Sequence, residues 1–324
     1  SIRKDMPPEN NLAMQRIAFE EMEATIARAF LNAGMPKEKA EKCARVHTES
    51  SRDGVYSHGL NRVERFVDYV RKGWVNTEAK ASLERKLGAM EIYNGNMAPG
   101  ILNGLFGMER ATDIARENGL GLVSMRNSTH WMRGGTYGWQ AAEKGFIGIC
   151  WTNTESCMPA WGAKTQGIGN NPFIMAVPRK NGPIVLDMAM SQYSYGKLQS
   201  TRLKNEVLPY PGGFDQQGKL TVEPGPIEKT RRILPMGYWK GSGFAMLLDI
   251  ISALLSGGLT TAGIDKVGKG SCGSCNHVFI AIDPLIINNQ EFIDELLEDT
   301  LEQLKSSTPA DDGNEVYYPG ERSL

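Results

Sequence analysis

The chain has 324 residues, five cysteines and a formal charge of −1, with 41% hydrophobic and 23% charged residues. That length allows about two domains, or one large α/β domain, with a core that needs no metal or disulfide staple. The balanced charge excludes a protein that wraps nucleic acid by neutralising phosphates with surplus Lys and Arg, and the odd, scattered thiols fit a reducing, cytoplasmic setting.

Residues 1–13 are polar, hold Pro7-Pro8 and read as a flexible extension or tag remnant, without the apolar run and cleavage site of a secretory signal. Helical periodicity runs from Leu12 to the stop at Gly34, and Pro36 opens a second helix that ends at Gly54. A third helix is expected over 58–72, with Leu60, Val63, Val67 and Val70 on one face, Ser57 as N-cap and Gly73 as stop. Beyond it, helices are expected at 101–118, 140–144, 244–255 and 292–305. Strands are expected at 121–125, 146–151, 173–177, 184–188 and 278–282. This alternation predicts an α/β sheet domain over about 81–306 beside a helical layer formed by 14–80 with about 307–324. The longest apolar stretch, 244–255, carries Asp249 and falls short of the ~20 residues a membrane span needs, so no membrane partner is expected.

The common cofactor motifs are missing. No G-x-G-x-x-G occurs, and the nearest version, from Gly167, ends in Pro172. The P-loop-like run from Gly263 to Lys269 is followed by Gly270, which has no hydroxyl for Mg²⁺. Cys272 and Cys275 form one C-x-x-C without a second pair at zinc spacing, so they read as thiols in a Gly-rich loop and no metal is expected.

Four histidines carry the search for chemistry. His47, between Arg45 and Glu49, reads as a solvated helix face, and His277 as a loop or capping residue. His58 is expected in a first helical turn, where free N–H groups and the dipole favour anions. Arg62 follows at i+4 and Arg65 borders the same face. Such a pair holds a carboxylate through Arg62 and leaves the imidazole to exchange a proton, while a plain polar helix start is the competing reading. His130 and Arg133 share a polar, aromatic loop before Gly134-Gly135, where a ligand site and a packed loop stand level. The segment from Pro235 to Gly243 precedes a helix and suits either a phosphate cradle or an aromatic-anchored loop. Asp187, within an apolar strand, needs a partner, for which a histidine is suited.

Three blocks of this sequence resemble the type-2 malate/L-lactate dehydrogenase family. One is Thr48-Glu49-Ser50 leading into Ser57-His58-Gly59-Leu60-Asn61-Arg62, the family's S-H-G-x-x-R signature. Another runs from His130-Trp131-Met132-Arg133-Gly134-Gly135 through residues 137–145 to Ile149-Cys150-Trp151-Thr152-Asn153. The third joins Ile227-Glu228-Lys229 to residues 231–243. The resemblance implies an NAD(P)-binding sheet fold that is not Rossmann, which accounts for the missing glycine fingerprint. It implies reduction of a 2-oxo acid to a 2-hydroxy acid. The expected substrate is 2,3-diketo-L-gulonate, giving 3-dehydro-L-gulonate, with malate, lactate or ureidoglycolate-type acids as alternatives. A catalytically decayed NAD(P)- or sugar-acid-binding protein is a further alternative. NADH is the expected cofactor, with NADP possible, and a homodimer is the expected assembly. By the same resemblance His58 is the proton donor, with Ser57, Asp187 and His130 in the catalytic set, and Arg62 and Arg133 hold the substrate. Cofactor contacts fall on Pro183-Ile184-Val185-Leu186-Asp187-Met188-Ala189, on Trp239-Lys240 and on Gly320-Glu321-Arg322. Glu321-Arg322 departs from the His-Glu of the family pattern.

Overall fold

The computed structural model describes residues 16–55, 58–311 and 313–323. Three helices come first: α1 (Phe19–Asn32), α2 (Lys37–Arg52) and α3 (Val63–Arg71). They bury Ile26, Phe30, Ala40, Ala44, Val46 and Phe66 together, with Phe30 and Phe66 meeting edge to face at 5.1 Å. The helix expected from His58 starts later. A 3-10 turn, Leu60–Arg62, leads into α3, because Gly59 is extended (φ −96°, ψ −129°) and breaks the helical path. His58 therefore precedes the helix, and the i+4 face it was expected to share with Arg62 does not form.

The hairpin β1 (Ser82–Leu87) and β2 (Met90–Asn94) follows, then α4 (Gly100–Asn118), β3 (Leu120–Ser128), α5 (Gly135–Glu143) and β4 (Ile147–Thr152). Gly119 closes α4 at φ +83°, a conformation that favours glycine. The short pair β5 (Met158–Pro159) and β6 (Gln166–Ile168) precedes β7 (Phe173–Val177) and β8 (Ile184–Met188). Next come α6 (Tyr195–Leu203), β9 (Gly213–Phe214), β10 (Leu220–Thr221), α7 (Pro224–Thr230), α8 (Trp239–Ser256) and α9 (Thr261–Val267). β11 (Cys275–Ile282) and α10 (Gln290–Lys305) complete the order.

The main sheet runs β1-β2-β3-β11-β4-β7-β8, and among its pairs only β2–β3 is parallel. The last strand thus inserts at the centre, and helix–strand alternation here threads a mostly antiparallel α/β sheet. Side chains of β11 alternate between two cores. Phe279 and Ala281 join Met108, Ile114 and Tyr137 of α4 and α5, while Val278 joins Ala245 and Leu248 of α8. The helical layer is stitched to the sheet unit by Ile101, Met132 and Cys272, which share its core. The chain's end lies along the edge strand, where Val185 N–H donates to Pro319 O at 3.0 Å, and Ser323 borders residues of α2. No single described helix is long and apolar enough to cross a membrane.

Candidate functional site

His58 and His130 come together from different elements. Their rings stack with centroids 5.7 Å apart and planes inclined by 28°. The turn that presents His58 is held from α2. His47, expected on a solvated face, is instead fully buried, and its Nδ1 donates to Gly59 O at 3.0 Å. A carbonyl accepts only, so Nδ1 carries the proton and the buried Nε2 keeps a bare lone pair without a described partner. Ser51 Oγ accepts from Leu60 N–H at 2.9 Å, and a Cβ on Gly59 would fall 2.0 Å from that oxygen. Only glycine fits against the helix there. Ser57, expected as N-cap and catalytic neighbour, lies outside the described residues.

His130 is fixed through its backbone and its neighbours. Its Nδ1 accepts from Met132 N–H at 2.9 Å, which leaves the proton of the neutral ring on Nε2. Trp131 next to it stacks on His277 at 5.0 Å with planes only 7° apart, and Tyr137 Oη donates to Trp131 O at 2.6 Å. His277 is a buried strand residue rather than the expected loop or cap. Its Nε2 meets Ser128 Oγ at 2.6 Å and its Nδ1 meets Thr152 Oγ1 at 2.9 Å.

The field around the stacked pair keeps both rings neutral. Surrounding protein pushes the His58 pKa down to about 3, mainly by desolvation and next by the Arg62 guanidinium. His130 is held well below its ordinary value by the same two causes in the same order. Arg62 is half-buried, and desolvation followed by Arg65 lowers its own value. Glu155, after β4, lies in the charge field of Arg62 and Arg65. Sequence reasoning missed it, although Thr152-Asn153 just before it belonged to a matching block. Its signal was an acidic residue at a strand end.

Arg133 and Asp187 take different partners from those expected. Arg133 is buried, and its Nη1 pairs with Asp53 Oδ2 at 2.5 Å, tying the β3–α5 loop to the end of α2. Asp187 Oδ2 accepts from Gly135 N–H at 2.8 Å, and no hydrogen bond or ion pair joins it to His58 among the described residues. A carboxylate beside two bare glycines finds a backbone donor at the start of α5 more readily than a side chain across the cleft. Asp187 is solvent-exposed, yet surrounding protein raises its carboxyl pKa, with the Gly135 N–H and Arg133 opposing, as on a cleft floor.

The three stretches expected at a cofactor meet along β8 and its continuation. Gly320 (φ +84°) packs on Val185, where an added Cβ would sit 3.0 Å from the carbonyl oxygen. Met236 N–H donates to Met190 O at 2.7 Å, and Gln192 N–H to Leu234 O at 2.8 Å. Trp239 and Lys240 lie in the first turn of α8 rather than before the helix, with Trp239 65% exposed. The strip fits a dinucleotide. It offers bare glycine backbone, an exposed indole for stacking, a Lys ammonium 5.9 Å from that ring, and open space over Gly243 in α8. Glu321 and Arg322 are engaged locally. Glu321 pairs with Lys305 at 2.8 Å, and the Arg322 guanidinium lies over the Tyr317 ring at 5.0 Å. Cys272 and Cys275 are free thiols with raised pKa values, and no group of three or more His, Cys, Asp or Glu able to hold a metal occurs among the described residues.

Comparison with known proteins gives a consistent result. The family model of malate/L-lactate dehydrogenase matches residues 17–324. The chain is 43% identical to the 2,3-diketo-L-gulonate reductase of Escherichia coli O127:H6 over 306 residues, 94% of this chain and 91% of that protein. Among solved structures it is similar to malate dehydrogenase from Pyrococcus horikoshii OT3, with TM-score 0.86 and 28% identity over 100% of this chain and 90% of that one. It is also similar to sulfolactate dehydrogenase from Methanocaldococcus jannaschii, with TM-score 0.84 and 28% identity over 94% of this chain and 88% of that one.

Proposed function

The chain belongs to the malate/L-lactate dehydrogenase family, oxidoreductases of hydroxy and oxo acids, and we propose that it reduces 2,3-diketo-L-gulonate to 3-dehydro-L-gulonate with a nicotinamide cofactor, NADH before NADPH. The observation that carries this reading is the stacked, neutral His58–His130 pair beside Arg62. The meeting of three sequence-distant stretches along β8 supports the cofactor's place.

When bound, the nicotinamide supplies the hydride for the C2 carbonyl. Arg62 holds the C1 carboxylate, with its planar fork matched to the two oxygens. That bound carboxylate offsets the guanidinium charge that depresses His58, so the imidazole gains proton affinity as substrate arrives. His58 takes up a proton from water as the acid binds and passes it to the oxygen at C2, returning to the neutral ring, while the Nε2–H of His130 polarises the same oxygen. Asp187 and Arg133 shape the recess between the histidines and the β8 strip, since Arg133 acts on the charge balance of both His58 and Asp187.

We also propose a homodimer. Met246, Leu247, Ile250, Ile251 and Leu254 are exposed at i, i+1, i+4, i+5 and i+8 of α8, one apolar stripe on a helix whose other face packs on the sheet.

The test is loss of absorbance at 340 nm with NADH, then NADPH, over a panel of 2-oxo acids. Highest kcat/KM on 2,3-diketo-L-gulonate is expected. Highest kcat/KM on oxaloacetate or pyruvate keeps the family and removes the substrate assignment. No turnover of any acid overturns the reductase reading.

A further inference from the structure

Glu155 follows β4 and carries an acceptor that no described residue satisfies. The backbone around it is pinned on both sides. Thr154 N–H donates to Asn171 Oδ1 at 3.1 Å and Thr261 Oγ1 donates to Thr154 O at 2.8 Å. Ser156 N–H donates to Asp265 Oδ1 at 2.9 Å. The side chain therefore leaves a rigid segment. Its Oε2 is buried and has no hydrogen-bond partner among the described residues. A purely structural buried carboxylate normally gathers N–H donors, because an unmet acceptor away from water costs free energy. Burial raises the Glu155 pKa, and its own backbone N–H, then Arg62 and Arg65, oppose that rise, so the carboxylate lies in the field of the substrate-holding cation. The thiols whose titration feels its charge, Cys157, Cys272 and Cys275, are all pushed up and stay neutral, weak donors.

The site thus holds cationic and N–H donors for the carboxylate and carbonyl end of a 2-oxo acid, and in Glu155 Oε2 a buried acceptor without a described partner. What that acceptor lacks is a hydroxyl donor. We propose that Glu155 is a specificity-determining residue, accepting a hydrogen bond from a chain hydroxyl of a polyhydroxy 2-oxo acid. The inference rests on the 2-oxo-acid reductase reading above. A short acid such as pyruvate leaves Oε2 unmet. A dicarboxylic acid such as oxaloacetate brings a second negative charge towards it. Sites built to bond a substrate hydroxyl discriminate strongly against analogues that lack one.

The experiment compares kcat/KM on 2,3-diketo-L-gulonate, pyruvate and oxaloacetate for the wild type, Glu155→Leu and Glu155→Gln. Leucine removes the acceptor. Glutamine keeps an acceptor oxygen and removes the charge. In E155L the ratio of diketogulonate to pyruvate is expected to fall about tenfold or more. In E155Q most of that ratio returns, and the ratio of oxaloacetate to pyruvate rises. A diketogulonate-to-pyruvate ratio in E155L unchanged from the wild type, or an equal fall on all three acids, overturns the proposal. If E155L does not fold, E155Q decides: an oxaloacetate-to-pyruvate ratio equal to the wild type's overturns it. A wild type inactive on all three acids fails the reductase reading itself, an outcome distinct from an active wild type whose ratios ignore Glu155.

Discussion

His58 and His130 lie ring against ring, 5.7 Å between centroids, yet each is fastened to a different part of the chain. His58 rides on the turn locked by His47 and Ser51, and His130 on the loop locked by Met132 and Trp131. Two neutral imidazoles on one acid–base step predict a specific kinetic pattern. His58→Ala is expected to lower kcat by ~10²–10⁴-fold, the usual worth of a general acid, with cofactor affinity nearly unchanged. His130→Ala is expected to lower kcat as well, and the double variant to lose less than the product of the two, because both act on one oxygen. Steady-state kinetics with fluorescence titration of the cofactor checks this. Turnover of His58→Ala near the wild-type value removes His58 from the mechanism.

The buried histidines also set how stability follows pH. Burial lowers His47 from 6.5 to about 4, and His58 and His277 to about 3. Well above 6.5 these rings are neutral in both folded and unfolded chains, and they add no pH dependence. Between 6.5 and about 4 the unfolded chain takes up protons that the folded His47 refuses, so stability falls as pH falls. Across that window His47 alone accounts for roughly 3 kcal/mol. The expected outcome is a melting temperature that is level above pH 7 and declines steadily below 6.5. His47→Gln is expected to be less stable at neutral pH but to decline less steeply. An equal slope in both proteins would assign the decline to other groups.

Why the sequence revealed some of this and not the rest follows from particular residues. α4 was legible because its apolar spacing ends at Gly119, whose φ of +83° is a common helix stop. β11 was legible over 278–282 because both its faces are buried and apolar. Its first residues, Cys275-Asn276-His277, are buried too, but polar, and they read as loop. β1 was not expected, since Ser82–Leu87 is exposed at every position and has no inward face to alternate with. α9 was hidden among the glycines of 257–273. At the site, residue types suggested His58, Arg62 and His130, but not the partners that hold them. His47 looked solvated because its helix neighbours are charged. Its burial comes from Phe30 and Phe66, whose rings lie 5.5 and 6.5 Å away. The Arg133–Asp53 pair spans 80 residues of sequence, and no local pattern announces a contact of that range.

That pair carries a stability prediction. The side chains of Arg133 and Asp53 are 7% and 15% exposed, and Asp53 also pairs with Arg52 at 3.0 Å through its other oxygen. Removing one partner from a buried pair costs about 3–5 kcal/mol, because the survivor is left uncompensated. Asp53→Leu is expected to lose stability on that scale in urea unfolding, and Arg133→Met less, because Arg52 still pairs with Asp53. The double variant is expected to lose much less than their sum, since it strands no charge. A merely additive double variant would show that the pair contributes nothing as a pair. Arg133 also helps to depress His58, so Arg133→Met is expected to shift the pH profile of the remaining activity towards higher pH.

The stripe on α8 predicts the assembly. Leu254 is 79% exposed and stands at the end of a row with Met246, Leu247, Ile250 and Ile251. The helix is anchored by Ala245 and Leu248 on its inner side, so the stripe cannot turn inward without unpacking that core. Exposed apolar area of this extent is rare on a stable monomer, and a two-fold axis would lay one stripe on another. Trp239 and Lys240 open the same helix, so a dimer built on it brings the partner's surface close to one end of the β8 strip. Ile251→Glu with Leu254→Glu places two charges on this stripe, where no partner charge is offered by its own row. Light scattering is expected to give a dimer for the wild type and a monomer for the variant at micromolar concentration. The variant is expected to keep its helical circular dichroism and to bind cofactor more weakly. A monomeric wild type, or a variant that remains a dimer, would move the contact away from α8.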